Sequence, residues 1–237
     1  MPGMIEIMGP SAVGKSTVLK RIAEAGFRRA DWLAPWDLDG LLSSAREGIP
    51  AKERTALAVD SYMPREFIRL CFSILSASEM LPSQKFGAAV LLRKTCEDAF
   101  LLSNVDLQLP VVHDEMLLHR AFSFLPHASD PKRHAAAYFG LVPVPAMACV
   151  FRAPADIIVA RAMARGKLPN CYSGLGVDGI SEVVENALIV CDVAVDVLAA
   201  RGVEIRVVDA GQDVDDAQDA LVAIIDEHLG DADAENR

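Results

Sequence analysis

A glycine-rich loop between two regular elements constrains this chain more than any other feature. Residues 9–17 satisfy the pattern G-x-x-x-x-G-K-[ST] at every fixed position, and a short, mainly apolar run over residues 5–8 precedes them. Apolar residues then recur at helical spacing over residues 18–23. A strand, a glycine-rich loop and a helix in this order let successive backbone N–H groups converge on phosphate oxygens.

The residue types of this loop match the chemistry of a bound triphosphate. Gly9 and Gly14 allow backbone angles and a close approach that a Cβ would forbid. Lys15 supplies a point charge for the β- and γ-phosphates, and the Ser16 hydroxyl is suited to ligate Mg²⁺. The residues predicted to bind the nucleotide are Gly9, Ser11, Ala12, Val13, Gly14, Lys15, Ser16 and Thr17.

An apolar run over residues 109–112 ends in carboxylates. Asp114 and Glu115 follow this predicted strand, at the place where P-loop proteins hold Mg²⁺ or its waters, and we take both as candidate metal ligands. Asp114 would equally suit the cap of a helix that begins near Met116, so a metal role and a capping role are both open. His119 lies one turn further on, and we assign it a structural or exposed position.

Three cations lie within seven residues of a chain that is otherwise acidic. Arg161 and Arg165 are one turn apart on the same face of a helix predicted over residues 155–165, and Lys167 follows. Cations at a helix C-terminus are favourable on dipole grounds alone, so this cluster has two explanations. The Pro- and Gly-containing stretch around it predicts a mobile lid, which we call the lid segment (residues 166–178).

Residues 51–104 are predicted to form a helical insertion. Apolar positions recur at helical spacing, and Pro64 and Pro82 divide the stretch into three helices. Ser83 is expected to cap the third helix. An insertion at the edge of a parallel sheet is a common place for a substrate-binding lobe. Its arginines, which solvated helix faces would also explain, are Arg65, Arg69 and Arg93.

The remaining pattern predicts one α/β domain over residues 1–237. A short second strand is expected within residues 27–40, a piece that carries Asp37 and Asp39. Two further strands are predicted over residues 146–151 and 203–208. Amphipathic helices are expected over residues 178–200 and 214–229, and a disordered tail over residues 230–237.

Composition limits the class of partner. A net charge of −10 argues against nucleic-acid and membrane-surface binding, because both need a positive field. No apolar run approaches the roughly 18 residues of a membrane span, and the N-terminus lacks a signal-peptide pattern, so a cytoplasmic protein is expected. The five cysteines form no C-x-x-C pair, which favours reduced, buried thiols.

The order of these features resembles the nucleoside and nucleotide kinase-like group of P-loop kinases. The resemblance covers most of residues 4–229, although only residues 9–17 form a specific motif. The cluster of Arg161, Arg165 and Lys167 is similar to the R-x-x-x-R-x-R lid of deoxynucleoside kinases, with Lys in the third place. Residues 209–211 occupy the position where thymidylate kinases pass backbone around the adenine.

The chain also departs from these families. They carry Asp-Arg or Glu-Arg-Ser after the third strand, whereas this chain has His113, Asp114 and Glu115, so neither substrate specificity carries over. Asp37 or Asp39 stands where some such kinases place a general base. Which of Asp37, Asp39, Asp114 and Glu115 is the base stays open at this point.

The resemblance implies a three-layer α/β/α sandwich of the P-loop NTPase type, with a parallel sheet of about five strands. It also implies an ATP-dependent kinase that moves the γ-phosphoryl group to a nucleoside, a nucleotide or another hydroxyl compound. Lys15 would bridge to the γ-phosphate, and Ser16 with Asp114 would hold Mg²⁺. Arg161 and Arg165 would close onto the developing charge, and Asp37 would orient or deprotonate the acceptor.

A different class of protein is also compatible with the loop. A nucleotide-binding switch would bind ATP or GTP and hydrolyse it slowly or not at all. The Asn-Lys-x-Asp motif of GTPases is missing from the chain, and a binder would need neither an acceptor carboxylate nor a cationic lid. The acceptor, the preference between ATP and GTP, and the oligomeric state, a homodimer included, are left open by the sequence.

Overall fold

Four parallel strands form the central sheet of the computed structural model, which describes residues 3–25, 32–105, 107 and 109–235. Every neighbouring pair is parallel, so the carboxyl ends of the strands lie along one edge of the sheet, where ligands bind in open α/β folds. In spatial order the strands are β2 (Val111–His113), β1 (Met4–Met8), β3 (Met147–Arg152) and β4 (Glu204–Asp209).

Helices connect and flank these strands. They are α1 (Lys15–Glu24), α2 (Pro35–Glu47), α3 (Ala51–Ala56), α4 (Arg65–Ala77), α5 (Pro82–Asn104), α6 (Leu117–Arg120), α7 (Pro131–Leu141), α8 (Ala155–Met163), α9 (Val177–Ala200) and α10 (Val214–Glu235). A π-helical turn continues α3 over Leu57–Tyr62, and 3₁₀ turns cover Ala121–Ser123, Leu125–His127 and Asn170–Tyr172. No helix in the described part of the chain is long and apolar enough to cross a membrane.

Apolar packing covers both faces of the sheet. All residues of β1 are buried, as is typical of a parallel strand with helices on either side. Met4 and Met8 join the core that α4, α5 and α7 build, whereas Ile5 and Ile7 join the core that α1, α8 and α10 build. The result is a three-layer α/β/α sandwich, which confirms the predicted fold class with one strand fewer than expected.

The predicted second strand is wrong over the part of it that the structure describes. Leu33 alone pairs with β2, as an isolated parallel bridge to Val111. Helix α2 begins at Pro35 instead, because proline suits the first helical position and the Asp37 carboxylate accepts a hydrogen bond from the Ala34 N–H at 3.1 Å. The part of this prediction that falls on residues 27–31 lies outside the described residues.

The helical insertion follows its predicted division. Pro64 and Pro82 immediately precede or begin α4 and α5, as expected. The predicted Ser83 cap is wrong, because the Gln84 side chain takes that function by accepting a hydrogen bond from the Leu81 N–H at 2.8 Å.

Two other expectations concern the C-terminus and the thiols. Helix α10 continues to Glu235, so it covers most of the stretch for which a disordered tail was predicted from residue 230. All five cysteines are buried and form no disulfide, which agrees with the expectation of reduced thiols.

Candidate functional site

The P-loop adopts a backbone that its glycines make possible. Gly9 and Gly14 have φ angles of 143° and 123°, in the region that side chains disfavour. A Cβ on Gly9 would lie 2.6 Å from the Phe151 carbonyl oxygen, so only glycine fits beside β3. Ala12 also has a positive φ of 67°, which is a strained conformation for a residue with a Cβ. The loop therefore presents the open N–H groups of the first turn of α1 at the sheet edge.

The Lys15 ammonium group is folded over this loop. Its Nζ donates to the carbonyl oxygens of Gly9 and Pro10, both at 2.9 Å, and the side chain is buried. Burial lowers the pKa of Lys15 to about 8, while the nearby Asp114 carboxylate opposes that shift. A cation thus lies at the centre of the loop, where anions would gather.

A first cavity of about 300 Å³ opens on one side of the P-loop, which is the lower end of the size range of ligand pockets. The P-loop, the end of α8 and the turn after β4 form its walls. Its lining residues are Ala12, Val13, Gly14, Thr17, Val18, Arg161, Ala164, Arg165, Ala210, Gln212, Val214 and Ala217.

Arg161 connects two walls of the first cavity. Its Nη1 donates to the Val13 carbonyl at 2.7 Å and to the Ala210 carbonyl at 2.6 Å. The guanidinium group therefore ties the P-loop to the turn after β4, the turn for which the sequence suggests a position beside an adenine. The arrangement gives Arg161 a structural task in shaping the cavity.

A second cavity of about 240 Å³ opens on the other side of the P-loop and shares Ala12, Gly14 and Arg165 with the first. Charged and polar side chains form much of its wall. Its lining residues are Ser11, Ala12, Gly14, Lys15, Ser16, Leu91, Asp114, Glu115, His119, Arg120, Ser123, Arg165, Pro169, Asn170 and Cys171.

The two carboxylates after β2 differ in their surroundings. Asp114 is partly buried, and burial together with the charge of Glu115 raises its pKa, while Lys15 opposes the shift. The Glu115 side chain is 60% exposed and forms an ion pair with Arg120 at 3.2 Å. Neither caps α6, which begins after Met116 without a side-chain cap. The capping alternative for Asp114 is therefore wrong.

The described residues contain no group of three or more His, Cys, Asp or Glu side chains arranged to hold a metal ion. Mg²⁺ in phosphate-binding sites needs only one or two protein oxygens, because waters and phosphate oxygens complete its shell. Ser16 and Asp114 line the same cavity beside Lys15, so the oxygen ligands present fit a magnesium ion shared with a phosphate.

Sequence reasoning missed a buried ionisable group under the P-loop. Glu6 is fully buried in β1, and burial raises its pKa to about 8. Its Oε1 accepts a hydrogen bond from the His119 N–H at 2.9 Å, and Oε2 has no hydrogen-bond partner among the described residues. A carboxylate interrupting an apolar strand just before the loop was the signal that could have identified it.

His119 and Arg120 were also underestimated. Both line the second cavity, a position that the interpretation of His119 as structural or exposed did not anticipate. Burial and the charges of Lys15 and Arg120 lower the pKa of His119, which keeps its ring neutral. Arg120 is 5% exposed, and its Nη2 donates to the carbonyl and the carboxylate of Glu115 at 3.1 and 3.2 Å. The position of His119 and Arg120 shortly after Asp114 and Glu115 was the feature of the sequence that could have identified them.

The structure does not bring every candidate residue to the two cavities. Asp37 and Asp39 are exposed on α2, where Asp37 caps the helix, and neither lines a cavity beside the P-loop. Arg65 and Arg69 are exposed on α4, and Arg93 pairs with Glu97. The expected pocket between these arginines and residues 36–39 is replaced by one that Leu91 and α6 help to form.

The lid segment contacts the P-loop directly. Tyr172 donates its hydroxyl hydrogen to the Ser11 carbonyl at 2.9 Å, and the Cys171 sulfur lies 3.4 Å from the Ser11 hydroxyl oxygen. Arg165 is exposed and lines both cavities, whereas Lys167 lines neither. Of the three predicted lid cations, Arg165 is therefore the one best placed to reach a ligand that spans the loop.

Comparison with known proteins gives little beyond the fold. No family model matches the chain, and no curated protein sequence is significantly similar to it. A solved structure of deoxyadenosine kinase from M. mycoides, with the products dCMP and a flexible dCDP bound, is similar over 94% of this chain and 98% of its own. The two share 13% identity with a TM-score of 0.49, a likeness too weak to carry an argument.

Proposed function

We propose that this chain is an ATP-dependent phosphotransferase that moves the γ-phosphoryl group of ATP to a small acceptor. The observation that carries the proposal is the pair of cavities that meet at the P-loop and share Ala12, Gly14 and Arg165. A phosphotransferase must hold a donor and an acceptor in line on either side of the transferred group. Two chambers joined at a phosphate-binding loop satisfy that requirement.

The first cavity would hold the nucleoside part of ATP. Its walls are largely apolar and are completed by the backbone around Ala210, which suits the flat face of a base. The N–H groups of residues 11–15 would bind the β-phosphate at the N-terminus of α1. Lys15 would exchange the carbonyls of Gly9 and Pro10 for phosphate oxygens, because those anions are stronger acceptors for an ammonium group.

Charge neutralisation would come from both sides of the loop. Ser16 and Asp114 would hold Mg²⁺, which supplies positive charge to the β- and γ-phosphates when it is bound. Arg165 lines both cavities and would approach the transferred group from the turn between α8 and the lid segment. Arg161 would act indirectly, since its Nη1 already donates to two carbonyl oxygens.

The second cavity would receive the acceptor. Asp37 and Asp39 lie away from it, so Asp114 and Glu115 are the remaining candidates for the base. Asp114 is the better metal ligand because it is less exposed than Glu115 and its charge acts more strongly on Lys15, and we assign Glu115 to orient the acceptor hydroxyl. The buried Arg120 guanidinium fixes the Glu115 side chain through their ion pair.

The rival function is a nucleotide-binding switch. Such a protein needs a triphosphate site, but it has no need for a second chamber lined by Asp114, Glu115 and Arg120. The second cavity therefore favours the phosphotransferase.

The test is an assay with labelled ATP, Mg²⁺ and a panel of nucleosides, nucleotides, sugars and aminoglycoside-like alcohols, with a parallel series using GTP. Acceptor-dependent ADP release with label in the acceptor is the expected result. Tight nucleotide binding without turnover on any acceptor would support the switch instead. The absence of any nucleotide binding by the folded protein would contradict both functions.

A further inference from the structure

Gln84 is a buried amide that connects the substrate lobe to the lid segment. It is 3% exposed at the first turn of α5, where its Oε1 accepts a hydrogen bond from the Leu81 N–H. Its Nε2 donates to two lid carbonyls, that of Asn170 at 3.1 Å and that of Ser173 at 2.8 Å. One side chain therefore caps a helix with its oxygen and holds the lid segment with its nitrogen.

The lid segment also donates a hydrogen bond to α5. The Asn170 Nδ2 donates to the Gln84 carbonyl at 3.3 Å. One turn further along α5, a Cβ on Gly87 would lie 3.1 Å from the same Nδ2, so the absence of a side chain there lets the lid approach the helix backbone. Gln84, Gly87 and Asn170 therefore form one continuous contact between α5 and the lid segment.

The far side of the same lid turn reaches the P-loop and the second cavity. Tyr172 and Cys171 contact Ser11, and Cys171 lines the cavity. Leu91 of α5 lines that cavity as well, seven residues after Gln84 and thus on the same helix face. An acceptor in the second cavity would lie between the helix that carries Gln84 and the lid turn that Gln84 holds.

We propose that Gln84 is a positioning residue that fastens the lid segment over the acceptor chamber, an inference that rests on the proposed function for its catalytic meaning. The buried Nε2 has two acceptors only while the lid turn lies against α5. If the lid leaves, those two hydrogen bonds are lost together and water must replace them. Gln84 therefore favours the arrangement in which Asn170 and Cys171 wall the second cavity.

The substitution Gln84→Glu separates the two tasks of this side chain. A glutamate has the same length and keeps the oxygen that accepts from the Leu81 N–H, so the start of α5 is preserved. It replaces the Nε2 donor with an oxygen that faces the carbonyls of Asn170 and Ser173. The variant thus reverses the polarity of the lid contact while leaving the helix cap in place.

The first measurement is hydrogen exchange of the lid amides in the full-length protein without ligand. The N–H groups of Tyr172, Ser173 and Leu175 donate to carbonyls within the lid turn, so their exchange reports its opening. Gln84→Glu should accelerate this exchange about tenfold or more, because two hydrogen bonds are lost at once. Binding of a fluorescent ATP analogue with Mg²⁺ should change by less than about twofold, since no residue that lines the first cavity is changed.

Two further variants keep the result interpretable. Ser83→Asp adds the same charge one residue earlier, at an exposed position in the first turn of α5, and should leave lid exchange unchanged. Gly87→Val loosens the lid from the other contact without touching Gln84, and valine is a better helix former than glycine, so the helix should not be weakened. It should accelerate lid exchange even if Gln84→Glu does not fold.

Unchanged lid exchange in a folded Gln84→Glu variant, or equal acceleration in Ser83→Asp, would overturn the proposal. If Gln84→Glu does not fold, unchanged lid exchange in Gln84→Met, which removes the Nε2 donor without adding a charge, would also overturn it. With an acceptor found in the panel, Gln84→Glu should raise the KM for that acceptor about tenfold while the KM for ATP changes little. If no acceptor supports turnover in the unsubstituted protein, the proposed function fails, whereas the exchange result still decides whether Gln84 holds the lid.

Discussion

The two cavities beside the P-loop are built in different ways. The first is lined mostly by glycine and small apolar residues, and one of its two arginines, Arg161, donates to the carbonyls of two walls. The second is lined by charged side chains from the P-loop, from the turn after β2 and from α6, together with Arg165, and uncharged residues of α5 and the lid segment complete its wall. A chamber made of backbone can recognise a common ligand part, whereas one made of converging charges is suited to chemistry. The difference supports the proposal that the first cavity binds the nucleotide and the second receives the acceptor.

The largest expected effect comes from Lys15, at the boundary between the cavities. Lys15→Ala should reduce phosphoryl transfer at least about 10³-fold, because the ammonium group neutralises charge on the transferred group. The fold should persist, since the substitution also removes a buried charge with a lowered pKa. Labelled-phosphate transfer and circular dichroism measure the two quantities. Retained activity in a correctly folded variant would refute the role of Lys15.

A sharper test within the second cavity compares its two carboxylates. Asp114→Asn and Glu115→Gln should each lower kcat by about 10²-fold. Only Asp114→Asn should raise the Mg²⁺ concentration needed for half-maximal rate, because Asp114 is the proposed metal ligand together with Ser16. Kinetics over a magnesium titration give both numbers. Identical magnesium dependence in the two variants would contradict the division between a metal ligand and an acceptor-orienting residue.

The two arginines near the lid segment should separate stability from activity. Arg161→Ala leaves the carbonyls of Val13 and Ala210 without a donor and should lower the free energy of unfolding by about 1–3 kcal/mol. Arg165→Ala removes an exposed side chain and should lower kcat about tenfold with little change in stability. Urea unfolding and steady-state kinetics test the pair. The reverse pattern would return Arg161 to the catalytic role that the sequence suggests.

A pH-dependent effect is expected under the second cavity. Burial raises the pKa of Glu6 from 4.5 to about 8, so between those values the folded protein keeps a proton that the unfolded chain releases. This group therefore lowers the free energy of unfolding as pH rises through that window, by up to about 1.4 kcal/mol per pH unit. Glu6→Gln should remove the contribution, so the variant should gain stability relative to the unsubstituted protein from pH 5 to 8. The free energies of unfolding of the variant and of the unsubstituted protein are measured by urea unfolding over this pH range. If the two change with pH in parallel, the prediction is contradicted.

The smallest effect is expected away from both cavities, at Asp37. Asp37→Ala should cost about 1 kcal/mol or less, the loss of one helix-capping hydrogen bond, and should change kcat by no more than about threefold. Thermal unfolding and the transfer assay measure these changes. A loss of activity near 10²-fold would restore Asp37 as the base and would move the acceptor toward α2.

Some parts of the molecule could be read from short stretches of the chain. The P-loop is contiguous, and the steric need for glycine at Gly9 and Gly14 is local, so the pattern predicts both the strand before it and the helix after it. The insertion helices follow Pro64 and Pro82 for similarly local reasons. The predicted second strand was wrong because the pattern of a few residues favoured a strand, whereas the capping box at Asp37 favours a helix.

The second cavity could be anticipated only in part. The sequence identified Asp114 and Glu115 because they follow a predicted strand beside the P-loop. Arg120 and Glu6 could be recognised only from the packing of α6 against β1 in the structure. The contact between Gln84 and the lid segment joins residues 86 and 89 positions apart, and no periodicity relates them.

The sequence by itself determined the conformation of the glycine-rich loop, the α/β class and the parallel strands, because these depend on backbone sterics and on hydrophobic spacing within a few residues. The tertiary structure decided which charged groups share a chamber, which arginine donates to backbone carbonyls and which lines both cavities. Burial and long-range hydrogen bonds set those properties, and both arise only when distant segments pack together.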